Sequence, residues 1–265
     1  GTQPIIGSQI NFNYDGLIGK IPIFAKTEKG FRNLTKLSSK SFLEVKASET
    51  PHCHIDDLIK NNDDLIVTSG GLDSLFYKLI KKNNPKQVDL LASKIKSIFG
   101  NRFYLEIQRH NDNDQKSIEN NLLDLSKTKK IPIIASQEVF YIEQDMFEAH
   151  DALLCIGQKT YVNDEKRKKY SDQHYIKNTD EINKIYQDIP EALDNNYNFP
   201  LRFSYKLEKS APNLPSIQIS SNLTEQEELL RQSKIGLKNR LENFVFKQQK
   251  NFDKPKIEKI YTERL

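Results

Sequence analysis

Ile131-Pro132-Ile133-Ile134-Ala135 is an apolar run unbroken by any polar position. A strand with one face in water alternates apolar and polar residues, so a continuous run is expected of a strand covered on both sides. Working outward from 131–135, four more stretches read as strands: 4–10, Leu17–Ala25, Leu65–Thr68 and Phe103–Gln108. Each is rich in Ile, Leu, Val or aromatic residues and is bounded by Gly, Pro, Asn or charge. Helix candidates lie between them. Glu28–Leu43 places Phe31, Leu34, Leu37 and Leu43 near one face, and 72–82, 87–99 and 117–127 have similar spacing. Strand–helix–strand alternation predicts an α/β architecture with parallel strands.

The chain has 265 residues, 29% charged and 37% hydrophobic, which suits one large or two modest globular domains. No apolar run approaches the roughly 20 residues that span a bilayer, so no membrane partner is expected. With only Cys53 and Cys155, a disulfide framework is not expected and a reducing cytoplasm is. The start, Gly1-Thr2-Gln3-Pro4, has neither an initiator Met nor a secretion signal, and reads as part of a longer polypeptide. The net charge of +4 is small, and the richness in Lys, Asn and Ile fits the composition of an AT-rich genome. Nucleic-acid binding shows instead as a clustered basic face.

The texture changes after Phe203. Residues 204–221 hold two prolines and five serines without periodicity, and are expected to be a linker. Thr224 then offers an N-cap, with Glu227 at capping-box spacing. Leu229, Leu230, Ile235, Leu237 and Leu241 follow in a long amphipathic helix, and a second helix is expected over 254–264. The expected organisation is a domain over 1–203, a linker over 204–221 and a helical segment over 222–265. The end at Glu263-Arg264-Leu265 is expected to be a truncation. No glycine-rich phosphate loop is present; Gly70-Gly71, between a strand and a helix, reads as a tight turn.

Three segments could carry chemistry. In Arg102-Phe103-Tyr104-Leu105-Glu106-Ile107-Gln108-Arg109-His110, Glu106 and Gln108 share one strand face while Leu105 and Ile107 share the other. His110 falls just past the carboxyl end, where α/β barrels assemble active sites. Glu106 and His110 could share a divalent metal, or could be a hydrogen-bonded Glu and an exposed His. In Ala135-Ser136-Gln137-Glu138-Val139-Phe140-Tyr141, Glu138 could be a ligand or a general base. In Phe147–Gly157, Glu148 and Asp151 flank His150, an arrangement that a solvated helix start explains equally well. Pro51-His52-Cys53-His54 has the look of a metal clip, but four-ligand zinc sites use two such clusters and Cys155 lies in an apolar run, so no zinc is expected there.

Together these segments resemble the PHP (polymerase and histidinol phosphatase) domain of bacterial DNA polymerase III alpha subunits. The likeness begins at Pro4-Ile5-Ile6-Gly7, Phe24-Ala25-Lys26 and Gly30-Phe31-Arg32-Asn33-Leu34, and includes the run from Leu65 through Gly71. It is densest in 102–110, 131–141 and 147–157. It persists in Tyr170-Ser171, in Asp188-Ile189-Pro190-Glu191-Ala192-Leu193, in Leu214-Pro215 and in 228–230, ending at Gly236-Leu237-Lys238-Asn239-Arg240-Leu241. The order is colinear over nearly the whole chain.

The resemblance implies a distorted (β/α)7-type PHP barrel, truncated at its N-terminal strand, and a helical lead-in to the polymerase core. The family's His-x-His motif lies on that missing strand. Its Asn-Asp-x-His sequence is replaced here by Gln137-Glu138-Val139-Phe140, and Phe140 cannot ligate a metal. Glu106 and His110 match family ligand positions, so Glu106, His110 and Glu138 are the residual metal candidates, for zinc or manganese at a degenerate site. Magnesium is expected only at the polymerase core, beyond Leu265, and no catalytic residue is expected within the chain. The implied function is chromosomal replication, as a scaffold that supports the polymerase core of the same chain and docks a proofreading exonuclease subunit, with DNA bound by the full-length protein. The alternative is an active metal-dependent 3′–5′ exonuclease or phosphoesterase.

Overall fold

The computed structural model describes residues 3–112, 114–209, 211–215, 219, 223–248 and 253–264. It divides into two compact units, Gly1–Leu207 and Glu208–Leu265.

The first unit is built on six strands: β1 (Ile6–Tyr14), β2 (Leu17–Ala25), β3 (Cys53–His54), β4 (Leu65–Thr68), β5 (Phe103–Gln108) and β6 (Ile133–Ser136). They form one sheet in the order β3-β1-β2-β4-β5-β6. Pairing is parallel for β4–β5, β5–β6 and β1–β3, as alternation with helices predicts. It is antiparallel for β1–β2 and β2–β4, which corrects the expectation of parallel strands throughout. β1 runs four residues past Ile10, and Asp15 and Gly16 close the hairpin with φ of 52° and 80°. A two-residue turn with both φ positive returns the chain only antiparallel, and Asp-Gly adopts it readily. Among the described residues the hydrogen-bonded order ends at β3 and β6, so these six strands close no barrel.

Helices cover one face of the sheet: α1 (Glu28–Leu43), α2 (Ile55–Lys60), α3 (Leu75–Lys81), α4 (Pro85–Phe99) and α5 (Gln115–Lys129). Ile21, Ile23, Val67, Phe103, Leu105 and Ile107 pack against them in the main core. The alternate residues Ile66, Tyr104 and Ile134 meet Phe203 and Phe199 on the other face. Burial on both faces is what makes the strand sequences read as continuous apolar runs. Within α1, Leu34 and Leu37 are buried, whereas Leu43, expected on the same face, is 81% exposed because the last turn runs past the core. Three more helices, α6 (Phe147–Gln158), α7 (Thr179–Ile185) and α8 (Pro190–Asn198), follow β6.

In the second unit Thr224 and Glu227 form the capping box that starts helix Glu225–Arg240, which continues through a π turn at Leu241–Val245. Helix Lys254–Thr262 follows. Leu241 is the one buried apolar side chain in this unit among the described residues; Leu229, Leu230 and Ile235 are exposed. The described part of 204–221 has no regular structure, and its positions 210, 216–218, 220 and 221 lie outside the described residues. No helix among the described residues is long and apolar enough to cross a membrane.

Candidate functional site

The parallel strands β4, β5 and β6 end on one rim of the sheet, and the loops leaving them carry most of the polar side chains singled out above. Glu106, on β5, points away from the main core. Its carboxylate accepts from Thr68 Oγ1 at 2.7 Å, Ser136 Oγ at 2.5 Å and Gln108 Nε2 at 2.9 Å. Three neutral donors from three adjacent strands satisfy it without an ion. Gly71 leaves room for Gln108 here; a Cβ would stand 1.9 Å from Gln108 Oε1, so Gly70-Gly71 serves a close turn.

Past β5 the chain turns sharply at Asn111, whose φ is 59°, a conformation that Asn tolerates. The turn buries His110, 1% exposed, and brings Asp112 back toward it. The His110 amide donates to Gln115 Oε1 at 2.7 Å, and its Nε2 accepts from the Glu138 amide at 3.1 Å. Burial, with the nearby His174, holds the His110 imidazole down at about 4. A ring accepting at Nε2 while neutral carries its proton on Nδ1.

His174 is fully buried against the same loops. Its Nδ1 lies 2.8 Å from the Glu138 carbonyl and its Nε2 lies 2.9 Å from Asp112 Oδ2. Both neighbours are acceptors. Burial pulls the Asp112 carboxyl upward, but the hydrogen bond and charge of His174, with the Ser171 amide, outweigh it and leave Asp112 below the usual carboxylate range. Among the described residues, His110, Asp112 and His174 form the one group of three that could hold a metal ion, with ligand atoms within 4.8 Å of one another.

Aromatic rings extend this cluster. The His110 and His174 rings stack at 4.2 Å and 9°, Phe140 packs on His174 at 4.8 Å, and His150 stacks on Phe140 at 5.1 Å and 6°. Tyr170 lies 4.6 Å from Phe140. Burial pushes His150 below the usual imidazole range.

The expected site residues are therefore distributed. His110 and Glu138 meet, but through the Glu138 main chain. The Glu138 carboxylate faces a small polar cleft lined also by Lys20, Gly70, Ser74 and Glu106, and burial raises it above the usual carboxylate range. His150 is two rings removed from His110, and Asp151 is taken up by Arg167 at 2.5 Å. His52, Cys53 and His54 lie at the β3 edge of the sheet; Cys53 donates to the Leu37 carbonyl at 3.2 Å and burial pushes its thiol up to about 11. Sequence reasoning missed Asp112 and His174. The available signal was scarcity, since the chain has five histidines and His174 lies three residues after Ser171 of the Tyr170-Ser171 pair.

The PHP domain family matches residues 1–110. The chain is 31% identical to the DNA polymerase III subunit alpha of Caulobacter vibrioides, over 92% of this chain and 22% of that protein. It is 33% identical to those of Rickettsia conorii, over 91% and 20%, and Borreliella burgdorferi, over 93% and 23%. The chain thus spans about a fifth of the length of the curated relatives it matches.

Proposed function

Because this chain carries a PHP domain and is a relative of the DNA polymerase III alpha subunits, we propose that it serves as a scaffold within such a polymerase. In this reading it supports the polymerase core and docks a proofreading exonuclease, and its own polar cluster hydrolyses nothing. The observation that carries the reading is how the imidazoles are used. The lone pair of His110 is committed to the Glu138 amide, and both nitrogens of His174 to the Glu138 carbonyl and Asp112. These bonds tie the loop after β5, the loop after β6 and the 170–174 segment together. A metal ion would have to displace the Glu138 amide and take the place of the Asp112–His174 bond. Phe140, wedged between His174 and His150, offers no ligand atom.

A second reading, a metal-dependent 3′–5′ exonuclease, is favoured by the grouping of two imidazoles and a carboxylate, a donor set that suits zinc or manganese. Metal content and nuclease activity of the full-length protein separate the two. The scaffold predicts substoichiometric metal and no cleavage, with exonuclease binding intact after Glu106→Gln. Stoichiometric zinc or manganese with metal-dependent 3′–5′ cleavage would establish the second reading instead.

A further inference from the structure

Helix α6 turns one face to the first unit and leaves an apolar stripe on the other. On the inner face the Phe147 and His150 rings meet Tyr141 at 6.4 and 5.4 Å, Asp151 is held by Arg167, and Cys155 is buried. On the outer face stand Ala149, Ala152, Leu153 and Ile156, the i, i+3, i+4, i+7 spacing by which a helix buries a stripe. Yet all four are exposed, Leu153 by 64% and Ile156 by 76%, and so is Met146 one turn earlier. Apolar residues scattered singly over a surface need no explanation, whereas a continuous stripe along one helix marks a contact.

The charges beside the stripe indicate what covers it. Glu148 lies at the start of the helix and Lys159 at its end. They are about three turns apart, so the helical period sets them on the same flank of the stripe. Both are exposed, and among the described residues neither is in an ion pair. A uniformly acidic partner answers only Lys159, and a uniformly basic one only Glu148. The same helix running the opposite way answers both, because its basic end comes beside Glu148 and its acidic end beside Lys159. Ala149 and Ala152 are small enough to let two such helices approach closely, with Leu153 and Ile156 reaching across.

We propose that a second copy of this chain covers the stripe, α6 packing antiparallel on α6 of the second copy about a twofold axis near Ala152 and Leu153. Such an axis makes the surface self-complementary, so each charge pair occurs twice. A single helix pair buries less than the roughly 1,200 Å² of a standard interface, so the dimer forms and parts with concentration. The proposal concerns α6 alone and does not rest on the scaffold reading above.

The test is sedimentation velocity of the 265-residue chain across the micromolar range. The sedimentation coefficient of wild type is expected to rise with concentration. L153D/I156D, at exposed positions, is expected to keep the wild-type melting temperature and to stay monomeric throughout. E148K alone, or K159E alone, is expected to weaken the dimer about fivefold, since repulsion replaces attraction at two symmetry-related pairs. The double variant E148K/K159E exchanges the signs of each pair and is expected to recover wild-type affinity. Both reversals oppose the helix dipole, so damage to the helix itself would add in the double variant where a charge pair cancels. A chain monomeric at every concentration, a dimer indifferent to L153D/I156D, or additive losses in E148K/K159E would each overturn the proposal. So would a monomer whose α6 gains hydrogen-exchange protection only within the full-length polypeptide, which would give the stripe to another part of that polypeptide.

Discussion

His174 illustrates how a single buried side chain can hold three loops. Its ring sits between an acceptor carbonyl and an acceptor carboxylate, and the Asp112 side chain is only 11% exposed. Removing the ring leaves the buried Asp112 carboxylate without its hydrogen-bond partner, at a cost of about 3 kcal/mol. His174→Ala is therefore expected to lower the melting temperature by roughly 6–12 °C, and Asp112→Asn, whose amide oxygen can still accept, by less. Equal melting temperatures for wild type and His174→Ala would show that the pair is not a structural tie. His110 makes a second prediction, in pH. An imidazole in the unfolded chain protonates near 6.5, while buried His110 resists protonation until about 4. Between those values the unfolded state binds the extra proton, so stability is fully present above pH 6.5 and falls as pH drops toward 4, by up to about 3 kcal/mol. Urea midpoints measured at pH 7.5 and 4.5 should differ in wild type and converge in His110→Gln; an unchanged difference in the variant assigns the slope elsewhere. His110 could be singled out from its place after β5. His174 could not, because it meets Asp112 across 62 residues, and Glu138 contributes through main-chain atoms that any residue would supply.

At the scale of elements, hydrophobic pattern located five of the six strands, missing the two-residue β3, and failed on the direction of the two pairings that β2 makes. Phe103–Gln108 announces itself by alternation, and 131–135 by burial on both faces, so both were legible. The antiparallel hairpin rests on Asp15-Gly16, a two-residue turn that becomes informative only once β1 is known to reach Tyr14. Glycine placement was also illegible, because its reason is a neighbour distant in sequence. Gly30 in α1 stands against the main chain entering β4, where a Cβ would lie 2.2 Å from the Asp64 carbonyl oxygen. Its amide is capped by Thr27, whose hydroxyl also donates to Asp64 at 2.8 Å. Two backbones in contact cannot yield as a flexible side chain would, so Gly30→Ala must push α1 off the sheet. The expected cost is about 2 kcal/mol or more, despite alanine's better helix propensity. Chemical denaturation checks it; a variant as stable as wild type would mean that α1 shifts freely.

For the whole molecule, the question is how the first unit relates to a polypeptide about five times as long in its relatives. On the proposed reading, nucleotidyl transfer belongs to the polymerase core that this chain supports, so primer extension by this 265-residue chain should give no templated product; incorporation would overturn the assignment of its role. The proposed division into 1–203, a linker over 204–221 and 222–265 makes a further prediction. Ser204 still bonds to the Lys26 carbonyl at 3.0 Å and Tyr205 stacks on Phe31 at 5.1 Å, so the first unit holds the chain as far as Tyr205. Beyond that point, the described residues up to 215 make no backbone ladder. Proteases need an extended segment free of such bonds. Brief trypsin treatment should therefore cut first after Lys206 or Lys209, leaving a resistant N-terminal fragment. The competing site is the exposed basic stretch 165–169, but there Arg167 is clamped bidentately by Asp151 and donates to the Val162 carbonyl, which should delay cleavage. Mass spectrometry of the earliest fragments decides between them. A first cut in 165–169 would mean that the 170–174 segment, with His174, is held less firmly than its buried hydrogen bonds imply.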